Sequence, residues 1–97
     1  MTSPVRHDPE LHRFHATFDG LGAELVYRLE DNVMTIAHTG VPDEIGGRGI
    51  AAALVKAALE HAQASAWKVI PLCSYAAAYM ARHPEYAHLR HGQQAGE

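Results

Sequence analysis

The apolar residues change period partway along the chain, and this change limits the possible folds more than any other feature of the sequence. Arg13-Phe14-His15-Ala16-Thr17-Phe18 alternates polar with apolar side chains, and Ala23, Leu25, Tyr27 and Leu29 alternate with Glu24, Val26, Arg28 and Glu30. Val33 to His38 is a third run, β-branched and apolar. A period of two marks strands with one buried face. The links between the runs are Asp19-Gly20-Leu21-Gly22 and Asp31-Asn32, rich in residues that suit reversals. Three strands joined this closely form an antiparallel meander. Gly40 to Gly47 holds Pro42 and three glycines and reads as a loop. Beyond it the period becomes helical: Ile50, Leu54, Ala57, Ala58 and His61 share one side, and Lys56, Glu60 and Gln63 the other.

This spacing predicts a helix from about Arg48 to Ala64, then a short buried strand over Trp67 to Leu72. Ser74 suits the N-cap of a second helix through Ala76, Ala77, Ala78, Tyr79 and Met80. His83-Pro84 stops that helix, because the residue before proline disfavours the α region. The expected order is β-β-β-α-β-α, with the third and fourth strands parallel neighbours across the helical crossover. Residues 1–10, with Pro4 and Pro9, are expected to be a flexible arm, 11–90 the domain and 91–97 a flexible tail.

The 97 residues allow one core. A net charge of −3 argues against a nucleic-acid partner, which calls for a basic face. No apolar run approaches the roughly 18 residues that span a bilayer, and Met1 to Asp8 lacks the apolar core of a signal peptide. With a single cysteine, Cys73, no internal disulfide is available. A cytoplasmic monomer without a membrane partner is the expectation. The histidines do not suggest a metal site: His12 and His15 would fall on opposite faces of a strand. His88 and His91 have no carboxylate or cysteine partners at ligand spacing.

Chemistry is concentrated where the period changes. In Gly46-Gly47-Arg48-Gly49-Ile50-Ala51 the glycines let a ligand approach the backbone, and a helix start offers unpaired N–H groups to an anion. Arg48 adds a charge-assisted contact. The same residues also suit a plain loop that starts a helix. No Walker A lysine and no complete dinucleotide fingerprint is present.

Gly46 to Ala51 resembles the pyrophosphate loop of the GNAT superfamily, whose pattern is Gln/Arg-x-x-Gly-x-Gly/Ala; Gly46 replaces the first residue of that pattern here. His38-Thr39-Gly40-Val41-Pro42, Cys73-Ser74-Tyr75 and His83-Pro84-Glu85-Tyr86 extend the likeness to small single-domain GNAT-like N-acetyltransferases, over roughly Phe14 to Leu89. The resemblance implies an α/β (α+β) minimal GNAT fold: a three-strand antiparallel meander, a β-α-β crossover and a C-terminal helix. It also implies acetyl-CoA as cofactor and an amine or small molecule as acceptor. Cofactor contacts would fall at Val41, Gly46, Gly47, Arg48, Gly49, Ile50, Ala51, Ser74, Tyr75 and Tyr79, and catalysis at Cys73 and His38.

Each of these residues also has a plainer reading. Cys73 is either a small buried hydrophobe or a thiol whose ionisation a helix N-terminus favours. His38, at the expected end of the third strand, is either a general base facing the same crevice or a histidine that fixes the strand end. Tyr75 and Tyr79, at i and i+4, either line an acyl pocket or pack in the core. The subfamily lacks the later strands that build an acceptor pocket in larger relatives. A non-catalytic acyl-CoA binder or sensor, and a bare interaction module, are therefore the alternatives to acetyl transfer.

Overall fold

The computed structural model describes residues 5–92. One sheet holds five strands in sequence order: β1 (Arg6–Asp8), β2 (Arg13–Phe18), β3 (Leu21–Glu30), β4 (Val33–Gly40) and β5 (Lys68–Pro71). Helix α1 (Ile50–Ala64) connects β4 to β5, and α2 (Ser74–Arg82) follows β5. The first four strands are antiparallel, and β5 runs parallel to β4. The mixed α/β architecture is the one the sequence implied.

Both central hairpins close with two residues. Asp19 and Gly20 have φ of 52° and 77°, and Asp31 and Asn32 have φ of 53° and 64°. Two successive positive φ values match the right-handed twist of the strands, and Asp, Asn and Gly tolerate them best. The turns fix the register that puts Phe14, Leu25, Tyr27, Met34 and Ile36 into the core. Helix α1 meets them with Ile50, Leu54, Val55, Ala58, Leu59 and Ala62. Helix α2 joins the same core through Ala76 and Met80. It ends at His83, whose Nδ1–H donates to the Tyr79 carbonyl at 2.8 Å. Beyond it, the Tyr86 hydroxyl donates to Glu60 on α1 at 3.0 Å. Burial and that bond raise the Tyr86 phenol to about 12.

Three expectations need correction. Arg6–Asp8, within the expected arm, is a strand paired with β2 in the register Arg6↔His15, His7↔Phe14 and Asp8↔Arg13. The meander therefore has four strands. The strand is held by its middle residue: His7 stacks on Phe14 at 4.2 Å and shares a 2.6 Å hydrogen bond with the Tyr27 hydroxyl. Tyr27 is only 2% exposed, so its hydroxyl needs a protein partner, and His7 supplies it. At the other end, Arg90 bridges to Val69 and the His91 N–H donates to the Val69 carbonyl at 2.8 Å, so the first part of the expected tail is tied to β5. Residues 1–4 and 93–97 lie outside the described residues. Finally, Cys73, not Ser74, is the N-cap of α2, with extended φ and ψ of −69° and 131°.

His7 gives the fold a pH dependence. Burial, then the nearby His61, lowers its pKa below the usual 6.5; Asp8 opposes this, and His12 adds to it. The unfolded chain therefore binds this proton more readily than the folded one. The stabilisation is complete above 6.5 and is lost as pH falls through the lowered folded value. We expect urea unfolding midpoints to fall between neutral pH and about pH 5. His7→Phe, which keeps a ring against Phe14, should be less stable at neutral pH and show a shallower pH dependence.

Candidate functional site

Strands β4 and β5 part at their C-terminal ends. Their parallel register ends with Ile36↔Pro71. The Ile36 carbonyl then accepts from both the Leu72 and Cys73 N–H groups, each at 3.1 Å. From there β4 continues to Gly40 paired with β3 alone, while the chain after β5 turns into α2. The space between the diverging segments, called the crevice below, lies at the carboxyl ends of parallel strands, where open α/β sheets bind ligands. Both α1 and α2 begin at this edge, since each follows one of the two strands.

A bulge decides which β4 side chains face the crevice. Tyr27 pairs with Ile36, but Val26 pairs with His38, so Ala37 is an extra residue on β4. Before the bulge Met34 and Ile36 face the core; after it Thr39, opposite the buried Leu25, takes that face. His38 pairs with Val26 and points to the helix-free side, where it is exposed. Its ring lies over Gly40, where a Cβ would come within 2.8 Å of Nε2. Simple alternation from Met34 and Ile36 would have put His38 in the crevice. The structure brings Thr39, not His38, to Cys73, and nothing in the local sequence announces the bulge. On the helix-free side, Arg13, His15, Thr17, Gly22, Glu24 and Gly40 line a groove of about 580 Å³, across the sheet from Cys73.

Cys73 is half-buried at the start of α2, and its Sγ–H donates to Thr39 Oγ1 at 3.5 Å. Burial opposes ionisation of the thiol. The Thr39 hydroxyl and the N–H groups of Ala76, Tyr75 and Thr39 outweigh it and hold the pKa below the ordinary thiol value. The two α2 N–H groups, of Tyr75 and Ala76, close no full side-chain cap bond and act on the sulfur as nearby dipoles. Leu72 and Tyr75, two of the three large apolar side chains exposed among the described residues, flank Cys73 at 63% and 40% exposure. Leu72 carried no sequence signal beyond its apolar character. Ser74 is exposed on the first turn. Tyr79, one turn beyond Tyr75, is stacked on His83 at 3.9 Å and lies near Tyr86. Burial and the neighbouring Glu85 raise its pKa, so it stays protonated.

The glycine loop lies at the start of α1. Gly47 and Gly49 have φ of 81° and 76°, and a Cβ on either would meet nothing within 4 Å. Gly49 is the N-cap and has no side chain to satisfy the first N–H groups. The first helical bond runs from the Ala53 N–H to the Gly49 carbonyl, so the N–H groups of Ile50, Ala51 and Ala52 have no intrahelical partner. No acidic residue lies in the first turn. Ile50 is buried, Ala51 and Val41 are half-buried, and Gly46 and Arg48 are exposed. Arg48 pairs with Asp19 of the β2–β3 turn at 2.8 Å. Both side chains are largely exposed, so the pair is weak and Arg48 can turn to another anion at little cost. Among the described residues no group of three or more His, Cys, Asp or Glu could hold a metal ion, and no helix is long and apolar enough to cross a membrane.

A four-strand meander, a β-α-β crossover with splayed strands and a glycine loop at a helix start define a class. The model of the GCN5-related N-acetyltransferase family matches residues 13–89, and the chain belongs to that family. Protein NATD1 of Gallus gallus is 33% identical over 92 residues, covering 92% of this chain and 84% of its own. A GCN5-like protein of Staphylococcus aureus, solved by NMR in solution, superposes with a TM-score of 0.73 at 32% identity. That match covers 96% of this chain and 92% of the other.

The glycine loop can be tested through its backbone. Gly49→Ala places a Cβ in the left-handed region and should cost about 1 kcal/mol in urea unfolding without steric conflict. Gly46, at φ −66°, needs no such freedom, but a Cβ there would come within 3.3 Å of the Asp43 carbonyl oxygen. Gly46→Ala should therefore also lower the unfolding midpoint, through contact instead of backbone strain.

Proposed function

We propose that this chain binds acetyl-CoA along the crevice between β4 and β5 and moves the acetyl group to an amine or other small acceptor through Cys73. The observation that carries this reading is the position of Cys73: a thiol of lowered pKa, at a helix N-cap, on the rim of the crevice, with exposed Leu72 and Tyr75 on either side. Family membership supports acyl transfer as the chemistry.

The start of α1 suits a pyrophosphate. Its free N–H groups and positive dipole end are unobstructed by side chains at Gly47 and Gly49, and Arg48 is close enough in sequence to contribute. Val41 and Ile50 would shape the entrance, and Ser74 and Tyr75 would contact the pantetheine. Acetyl-CoA supplies an activated acyl group. The remaining chemistry falls to the chain: Cys73 loses its proton to solvent, and its thiolate attacks the thioester carbonyl. The bond from Sγ to the acyl carbon forms as the bond to the leaving sulfur breaks, and the leaving thiolate takes up a proton. Backbone N–H groups at the start of α2 lie near the developing oxyanion. An acceptor amine then attacks the Cys73 thioester, gives up a proton and regenerates the thiol. His38, on the other side of the sheet, takes no part in activating Cys73 in this scheme.

Calorimetric titration with acetyl-CoA followed by intact-mass measurement tests this. The expected result is saturable binding and one added acetyl group, absent in Cys73→Ala although that variant still binds. Binding without acetylation would exclude the Cys73 route and favour direct transfer or acyl-CoA sensing, and no binding would overturn the proposal.

A further inference from the structure

Among the described residues Thr39 is the one side chain that hydrogen-bonds Cys73, and it reaches that position because of the bulge at Ala37. Without the extra residue, alternation from Ile36 would turn Thr39 to the helix-free face and leave the thiol without a side-chain partner. We propose that Thr39 is a positioning residue for the Cys73 thiol, holding Sγ at the rim of the crevice and keeping a hydrogen bond to it in both protonation states.

The geometry supports this in two ways. A hydroxyl can accept from S–H and, after rotation, donate to S⁻, so one residue serves the thiol and the thiolate alike. Threonine is also β-branched, so on a strand its Oγ1 is held to few rotamers, and a sulfur bonded to it is fixed in direction. The 3.5 Å separation is a normal length for a sulfur donor. The groups that bear most on ionisation of Cys73 are uncharged: burial opposes it, and the Thr39 hydroxyl is the largest of the opposing hydrogen-bonding influences, ahead of the N–H groups of Ala76, Tyr75 and Thr39 itself. The role in acyl transfer rests on the Cys73 reading above, whereas the effect on the thiol does not.

The test is the pH profile of alkylation by iodoacetamide, followed by intact mass. Cys73 is the only cysteine in the chain, so one added adduct reports it alone. Thr39→Val should shift the profile to higher pH and slow alkylation at neutral pH roughly 3-fold, the loss of thiolate being partly offset by a more nucleophilic sulfur. Thr39→Ser should restore the native profile. An unchanged profile in Thr39→Val, or a Thr39→Ser profile that follows valine, overturns the proposal. If the valine variant does not fold, Thr39→Ala is read in the same way. Because iodoacetamide needs no acetyl-CoA, a shifted profile in a protein that acetyl-CoA does not acylate would refute the acyl-transfer reading and leave the role of Thr39 intact.

Discussion

The Ile36 carbonyl is where the sheet divides, and the geometry of the candidate site follows from that division. It accepts from the Leu72 and Cys73 N–H groups just beyond β5, the Leu72 N–H being shared with the Ile70 carbonyl, and the ladder between the two strands ends there. The outer end of β4 must then satisfy its backbone through β3 alone, which it does across a bulge. The two strands can separate without leaving a buried edge unpaired on the β3 side. Two helices start beside the gap, and a cysteine stands at the start of one of them. The bulge at Ala37 sets the side of the sheet on which Thr39 stands, and the end of the β4–β5 ladder at Ile36 sets the reach of Cys73.

An acidic chain can hold a polyanion in this arrangement. The net charge of −3 argues against a broad basic face but has little bearing on backbone dipoles. Each helix N-terminus carries roughly half a positive charge, and neither α1 nor α2 has an acidic residue in its first turn. Asp43 and Glu44, the acidic residues nearest the glycine loop in sequence, are exposed in the turn that precedes it, where solvent screens them. Arg48 adds one mobile charge, balanced by Asp19 until an anion competes for it.

Much of this was legible in the sequence, because the signals were local. Asp19-Gly20 and Asp31-Asn32 encode tight reversals, alternation encodes β2 and β3, and the helical period from Ile50 encodes α1. The resemblance carried by Gly46 to Ala51 and Cys73-Ser74-Tyr75 led to the family. What escaped depended on contacts distant in sequence. Strand β1 is three residues long, lies next to Pro9 and is anchored by the contacts of His7 with Tyr27 and Phe14. Simple alternation placed His38 in the crevice, whereas pairing with β3 inserts Ala37 and gives that place to Thr39. Ser74 is the stronger capping residue by propensity, but the turn after Pro71 makes Cys73 the cap.

The choice of cysteine at that cap is informative. Serine, threonine, aspartate or asparagine at an N-cap stabilises a helix by about 1 kcal/mol over residues that cannot cap, and serine was available one position later. With cysteine at the cap, the N–H groups of Tyr75 and Ala76 are only loosely engaged, so α2 forgoes part of that stabilisation. The short helix is held instead by Ala76 and Met80 in the core and by the Tyr86 bond to Glu60. The same loosely engaged N–H groups that weaken the cap are among those that favour a thiolate, so the local cost in stability and the lowered pKa of Cys73 share a physical origin.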